Sequence, residues 1–356
     1  MVFLGAETGC HSKRSSCWGK VWTRRKLLPI RDKTWVFVGF SKGRMQGNPL
    51  RKTVMILQDW LQATAQQIER AGVFLGHGTD NSWDEALHLT LPLLEISFDA
   101  NPEVLQRQLT AIEQQKLQQA REQRIVCRVP VPYITHQAWF CGLPFYVDRR
   151  VLIPRSPLGE LIEDGFYPWL QKEPVHILDL CCGSACIGIA CALAFPEAAV
   201  DVADISVDAL AVAAINIAQH RVQQRVQAVA SDLFSGLQGQ RYDLIVCNPP
   251  YVDADDMNSL PDEYRHEPEL ALASGVDGLD FTRRLLREAR NFLTEDGVLI
   301  VEVGNSAAAL EAAFPSVPFT WLAFERGGDG VFTLTAAELQ QHAESFHIMP
   351  SITRSE

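Results

Sequence analysis

Tyr242-Asp243-Leu244-Ile245-Val246-Cys247-Asn248-Pro249-Pro250-Tyr251 is the stretch on which the fold turns. Its first six residues are short and aliphatic-rich, the pattern of a strand buried on both faces of a parallel sheet. The next four cannot continue it. Two consecutive prolines lack backbone N–H groups and have fixed φ, so the ladder stops there. A residue before proline is pushed out of the helical region, which holds Asn248 extended or in a turn. A stiff loop bearing an amide and an aromatic ring therefore stands at the carboxyl end of a strand. Open α/β sheets bind their ligands at that end.

The loop suits a nucleophile that is a planar –NH2 group on a carbonyl or aromatic system. Such a nitrogen is poor because its lone pair is delocalised. The Asn248 side-chain carbonyl and the Pro249 backbone carbonyl can each accept one of its N–H bonds. Tyr251 can pack on the flat face of the same group, and Pro250 stiffens the turn. Positioning of this kind supplies up to about 7–11 kcal/mol of a barrier. Taken alone, the tetrapeptide fits a Pro-Pro turn with a capping Asn equally well.

A second motif decides between these readings. Val175-His176-Ile177-Leu178-Asp179-Leu180 is another apolar strand. It runs through Cys181-Cys182-Gly183-Ser184-Ala185-Cys186 into the apolar helical stretch Ile187 to Ala194. Strand, small-residue turn and helix make a nucleotide-type turn in which the backbone approaches a ligand closely. Asp204 ends the run Ala199-Val200-Asp201-Val202-Ala203 and suits the two hydroxyls of a ribose. Asp232 follows Val226-Gln227-Ala228-Val229-Ala230, where an acid can accept from an adenine amino group. Strands and helices alternate from about Pro154 onward, with Gly297 to Val303 a fifth strand and Phe319–Phe324 with Val331–Thr335 a final pair. The fold class is α/β, a doubly wound and mostly parallel sheet.

This constellation resembles the Rossmann-like methyltransferases that use S-adenosyl-L-methionine, and among them the HemK-type protein N(5)-glutamine methyltransferases. Further segments are similar to the ribosomal, or PrmB, branch: Gly76-His77-Gly78-Thr79-Asp80-Asn81, Trp83-Asp84-Glu85-Ala86, Ala138-Trp139-Phe140-Cys141-Gly142, Phe145-Tyr146-Val147-Asp148, Ile153-Pro154-Arg155-Ser156-Pro157, Glu263 to Leu270 and Arg326 to Phe332. The similarity spans about residues 54 to 348. It implies a seven-stranded methyltransferase sheet and a target glutamine in the third large-subunit ribosomal protein, free or in a ribosome assembly intermediate. It assigns cofactor contacts to Asp179, Cys181, Gly183, Ser184, Asp204, Asp232 and Asn248, with Arg155 shaping the pocket. Catalysis falls to Asn248, Pro249, Pro250 and Tyr251, by positioning and without a strong general base. The sister branch, acting on release factors, has Pro-Arg-Pro-x-Thr-Glu where this chain has Pro154-Arg155-Ser156-Pro157-Leu158-Gly159-Glu160. Two departures stand out. Gly183-Ser184-Ala185 replaces the usual Gly-Ser-Gly, and Cys182 replaces a frequent Thr.

Composition fits this outline. With 356 residues and 47% hydrophobic content the chain can bury a sizeable core. No apolar run reaches the ~18–20 residues of a membrane span, and no secretory pattern opens the chain. Nine cysteines, among them Cys181, Cys182, Cys186 and Cys191, lack paired C-x-x-C knuckles and read as small apolar packing in a reducing cytoplasm, with no metal site. His77, His136 and His266 have no metal-ligand spacing.

Charge divides the chain. Residues 1–52 carry twelve Lys/Arg against Glu7 and Asp32, a net of +10; the remainder has 20 basic and 41 acidic residues, a net of −21. An acidic body suits a basic protein partner, and it equally suits simple solubility. Residues 1–53 read as a disordered extension or an upstream-start artefact, since family members begin near Met55. Any direct nucleic-acid contact is expected only there. Residues 54–124 read as a helical substrate-recognition domain, with Met55-Ile56-Leu57, Trp60-Leu61, Thr64 and Ile68 near a 3.6 period and Leu105, Leu109, Ile112 and Leu117 on a Gln-rich helix. Residues 125–153 read as a β-hairpin linker turning at Gly142-Leu143-Pro144. Residues 154–348 form the methyltransferase domain. Two rivals are an N(6)-adenine nucleic-acid methyltransferase, which would need a phosphate grip that the acidic body lacks, and a non-catalytic ribosome-assembly binder.

Overall fold

The computed structural model describes residues 55–347. The basic extension expected over residues 1–53 lies outside them. Helices α1 (Leu57–Ala71), α2 (Ser82–Thr90), α3 (Ala111–Ile125) and α4 (Val131–Thr135) come first. In α1 the buried residues Leu57, Trp60, Leu61, Thr64, Ala65 and Ile68 recur at helical spacing, and Gly72 in the left-handed region ends it.

The Gln-rich helix is shorter than its periodicity suggests. Pro102–Gln106 is a 3-10 turn, and α3 begins only after Thr110. The Thr110 hydroxyl accepts the Glu113 N–H while the Glu113 carboxylate accepts the Thr110 N–H. This capping box fixes the helix start against the apolar spacing. Leu109 and Leu117 still share one core with α1, whereas Ile112 is 81% exposed.

Strands β1 (Ala138–Phe140) and β2 (Leu143–Phe145) form the hairpin. Its turn is Cys141-Gly142, both at positive φ, the geometry of a two-residue hairpin loop. Leu143 and Pro144, expected in the turn, instead pair with Phe140 and Trp139.

The remaining chain alternates: α5 (Leu158–Glu163), β3 (His176–Leu180), α6 (Cys186–Ala194), β4 (Ala199–Asp204), α7 (Val207–Gln219), β5 (Val226–Ala230), β6 (Tyr242–Cys247), α8 (Ala254–Ser259), α9 (Asp280–Glu288), β7 (Leu293–Glu302), α10 (Ala307–Ala313), β8 (Thr320–Trp321), β9 (Val331–Thr335), α11 (Ala336–Gln341) and α12 (Ala343–His347). The seven-stranded sheet has the order β5-β4-β3-β6-β7-β9-β8. All neighbours are parallel except β9, which runs antiparallel to β7 and β8.

Each central strand feeds two cores. Leu244 and Val246 of β6 and Val298 and Ile300 of β7 join the layer with α5 and α6; Ile245, Cys247, Leu299 and Val301 join the layer with α9 and α11. That alternation, with both faces covered, is why these strands read as unbroken apolar runs. No helix among the described residues is long and apolar enough to cross a membrane.

A buried ionic cluster ties the first helices to the segment after β6. Arg124 donates to Glu85 at 2.5 Å, to Glu263 at 3.2 Å and to the Phe74 carbonyl at 2.6 Å, and Glu263 also accepts the Phe74 N–H. Removing one member of such a cluster strands buried charge and costs about 3–5 kcal/mol.

Candidate active site

The register of the sheet builds the site. Leu180 at the end of β3 pairs with Ala203 of β4 on one side and Cys247 of β6 on the other, and Cys247 pairs in turn with Val301 of β7. Cys181, Asp204, Asn248 and Glu302, each one residue further on, therefore stand level at the carboxyl edge. Between β3 and β6 the strand order reverses, which opens a crevice at the switch point.

The turn after β3 is wound by left-handed residues at alternate positions: Cys181 (φ 60°), Gly183 (φ 51°) and Ala185 (φ 62°). Two of the three are not glycine, so the backbone stores strain here, as functional turns do. A Cβ built on Gly183 meets nothing within 4 Å, so the turn borders open space. Ala185, fully buried, is the residue before α6. Gly188 has a different task. A Cβ there would stand 2.4 Å from Val202 Cγ1 and 3.1 Å from the Asp179 side chain, so only glycine lets α6 lie this close to the sheet.

Two carboxylates hold the turn. Asp204 Oδ2 accepts the Gly183 N–H at 2.9 Å and Oδ1 accepts the Ser206 N–H at 2.8 Å; burial raises its carboxyl above the ordinary range. Asp179 lies fully buried beneath the turn, with Oδ2 accepting the Gly188 N–H at 2.8 Å and Oδ1 without a partner among the described residues. Burial, with Asp204 nearby, pushes Asp179 up to about 7. Ser184 is buried and its carbonyl accepts from Asn216 Nδ2. The Cys181 thiol is raised by its hydrogen bond with Cys247 and by burial.

Asn248 is half-buried, and its side-chain amide has no hydrogen-bond partner among the described residues. Tyr251 is turned inward, its hydroxyl donating to Glu302.

The family described as "Methyltransferase small domain" matches residues 166–261. Two relatives carry the name ribosomal protein uL3 glutamine methyltransferase. The one from Francisella tularensis is 46% identical over 292 residues, covering 82% of this chain and 93% of the relative. The one from Neisseria gonorrhoeae is 48% identical over 295 residues, covering 82% and 98%. The chain belongs to the ribosomal protein uL3 glutamine methyltransferase family. A solved ribosomal protein L11 methylase from Lactobacillus delbrueckii is similar at 19% identity and a TM-score of 0.34, over 49% of this chain and 77% of that one.

Within this family member, two expected cofactor residues sit apart from the turn. Asp232 is exposed beyond β5 and accepts from Arg284 at 2.9 Å. Arg155 is spent on a buried pairing: its two terminal nitrogens donate to the two oxygens of Glu267 at 2.8 and 3.0 Å, and its guanidinium lies 5.1 Å over the Tyr264 ring. Glu267 also binds His77 Nε2 at 2.6 Å, so a residue of the first helical segment reaches the same carboxylate. Burial lowers the His77 pKa below its ordinary value, opposed by the bond to Glu267.

The sequence reading missed Glu302 and Glu267. Glu302 had a usable signal, since it ends an apolar strand run just as Asp204 does. Glu267 lay in the family-like segment Glu263 to Leu270, but its pairing had no local signal, because its partners His77 and Arg155 are more than a hundred residues away.

Proposed function

We propose that this chain uses S-adenosyl-L-methionine to methylate a glutamine side-chain nitrogen of ribosomal protein uL3. The single observation that carries the reading is the unpartnered Asn248 amide on a proline-stiffened loop, level with the Gly183 turn at the switch point. The relatives' shared name supports uL3 over release factors as the target.

The residues present fit the cofactor. Open space over Gly183 leaves room for it, Asp204 supplies a charged acceptor for ribose hydroxyls, and the orphaned Asp179 Oδ1 is a buried acceptor for an ammonium group, directly or through water. Asp232 keeps lone pairs for an adenine amino group beside its bond to Arg284. Cys181 and Ser184 shape the turn. When bound, S-adenosyl-L-methionine supplies a sulfonium methyl for transfer.

The chain's own groups then do the positioning. Asn248 Oδ1 and the Pro249 carbonyl accept the two N–H bonds of the target amide and aim its nitrogen. Pro250 keeps the loop rigid, and Tyr251 walls the amide. The methyl replaces one hydrogen, whose proton leaves to solvent. Arg155 acts from behind, bracing the pocket wall through Glu267. The first helical segment engages the substrate protein.

The test is incubation of the protein with purified uL3 and cofactor, followed by peptide mass spectrometry. One glutamine should gain the mass of a methylene, and Asn248→Ala should slow the gain about 10²–10³-fold while cofactor affinity stays within a few-fold. Unmodified uL3, or more than half the activity in Asn248→Ala, would overturn the reading.

A further inference from the structure

Glu302 ends β7 and is 3% exposed, one strand away from Asn248. Both of its oxygens are taken. Tyr251 donates its hydroxyl to Oε1 at 2.9 Å, and Ser156 donates its hydroxyl to Oε2 at 2.6 Å. These donors belong to two separate loops, so a single carboxylate fastens the Asn-Pro-Pro-Tyr loop to the segment that carries Arg155.

Glycines close the arrangement around Tyr251. A Cβ on Gly304 would stand 2.7 Å from the Tyr251 ring, and one on Gly278 would stand 2.3 Å from the Tyr251 carbonyl oxygen. A Cβ on Gly330 would stand 2.2 Å from the Gly304 carbonyl. All three glycines have positive φ, so neither room nor backbone tolerates a side chain there. The Ser306 hydroxyl donates to the Tyr251 carbonyl at 2.8 Å. Tyr251 is thus pinned at its hydroxyl, its ring and its backbone.

A buried carboxylate is a costly way to hold a ring that had only to pack; an apolar partner for a phenylalanine would avoid the desolvation. We propose that Glu302 is a positioning residue for methyl transfer, holding Tyr251 and, through the two prolines, the Asn248 and Pro249 acceptors in register with the target amide. The proposal rests on the amide-clamp reading above.

Its ionisation gives the proposal a signature. Burial pushes Glu302 up to about 7, opposed by its bonds to Ser156 and Tyr251 and by the Arg155 charge; the Cys247 thiol also faces it. The carboxylate accepts both hydroxyl donors. The protonated acid must itself donate, so one of the two hydroxyls has to reverse from donor to acceptor and both bonds lose the carboxylate's charge. The clamp is therefore tightest above about pH 7, and kcat should fall as pH drops through that value.

The experiment measures kcat, KM for purified uL3 and the S-adenosyl-L-methionine Kd by calorimetry for the full chain and for Glu302→Ala, Glu302→Gln, Tyr251→Phe and Asn248→Ala. Misplacement by about 1 Å can cost about 10²-fold. Glu302→Ala should lower kcat by about 10–100-fold, with KM and Kd within about threefold. Glu302→Gln, which like the protonated acid keeps one acceptor oxygen, should recover only part of that loss and lack the inflection near pH 7. Tyr251→Phe should fall between them. Wild-type kcat in Glu302→Ala beside an inactive Asn248→Ala would overturn this proposal alone. So would a Glu302→Ala loss in which Kd, KM and melting temperature move together and Glu302→Gln restores nothing. An active Asn248→Ala would instead overturn the clamp itself.

Discussion

Gly183 donates its backbone N–H to Asp204 Oδ2 at 2.9 Å, across the ends of two neighbouring strands. The acid that faces the crevice therefore also shapes the turn beside it. Charge-assisted hydrogen bonds of this type are worth about 1.5–3 kcal/mol each. Asp204→Ala loses one to Gly183, one to Ser206 and those proposed to the ribose hydroxyls. Its Kd for S-adenosyl-L-methionine should rise at least about 30-fold, and its melting temperature should fall as well. Asp204→Asn, which keeps one good acceptor, should lie between. An unchanged Kd in calorimetry would place the cofactor elsewhere.

Asp179 should make cofactor binding pH-dependent. Its folded value near 7 stands well above the ordinary 3.8, so between about pH 4 and 7 the native state holds one more proton than the unfolded chain. The unfolded-minus-native proton difference is then negative, and this group lowers stability as pH rises through the window. A cationic donor at Oδ1 reverses the preference by favouring the carboxylate. Cofactor affinity should therefore improve on the order of tenfold from pH 6 to pH 7.5, with proton release on binding. Calorimetry in buffers of different ionisation enthalpy reads the released proton. Asp204 titrates nearby, so the control is Asp179→Asn, in which the release should vanish. Release of the same size in that variant would assign the proton to another group.

Much of this was legible in the strand runs themselves. Asp204 and Asn248 could be placed because each closes or follows a continuous apolar stretch, and Asp179 because it stands next to last in one; a sheet buried on both faces leaves such a stretch no other home. Ala185 drew notice in the sequence only as a departure, and the structure shows it doing a glycine's work at φ 62°. The Gln-rich helix was overdrawn because Leu105 and Leu109 keep a helical interval while Pro102 and the Thr110–Glu113 cap dictate the backbone locally. The hairpin turn slipped by a residue because Pro144 looks like a turn residue but sits in a two-stranded edge where its missing N–H costs nothing. The long-range carboxylates Glu263, Glu267 and Glu302 bind donors from distant segments, which no local pattern encodes.

Ala185→Gly tests that left-handed position directly. The left-handed region costs a non-glycine residue about 1–2 kcal/mol, which glycine removes. Against it stand about 0.5–1 kcal/mol of extra unfolded-state freedom and about 0.8 kcal/mol for one buried methyl. These nearly cancel, so the melting temperature should move by no more than about 3 °C. Cofactor affinity should hold or tighten. Ala185→Val is the contrasting case: a β-branched residue fits the left-handed region poorly and the site is fully buried, so about 2–3 kcal/mol or more should be lost. If thermal denaturation instead showed Ala185→Gly losing about as much as Ala185→Val, the residue would be right-handed and helical in solution, and the strained turn at the mouth of the crevice would not exist as described.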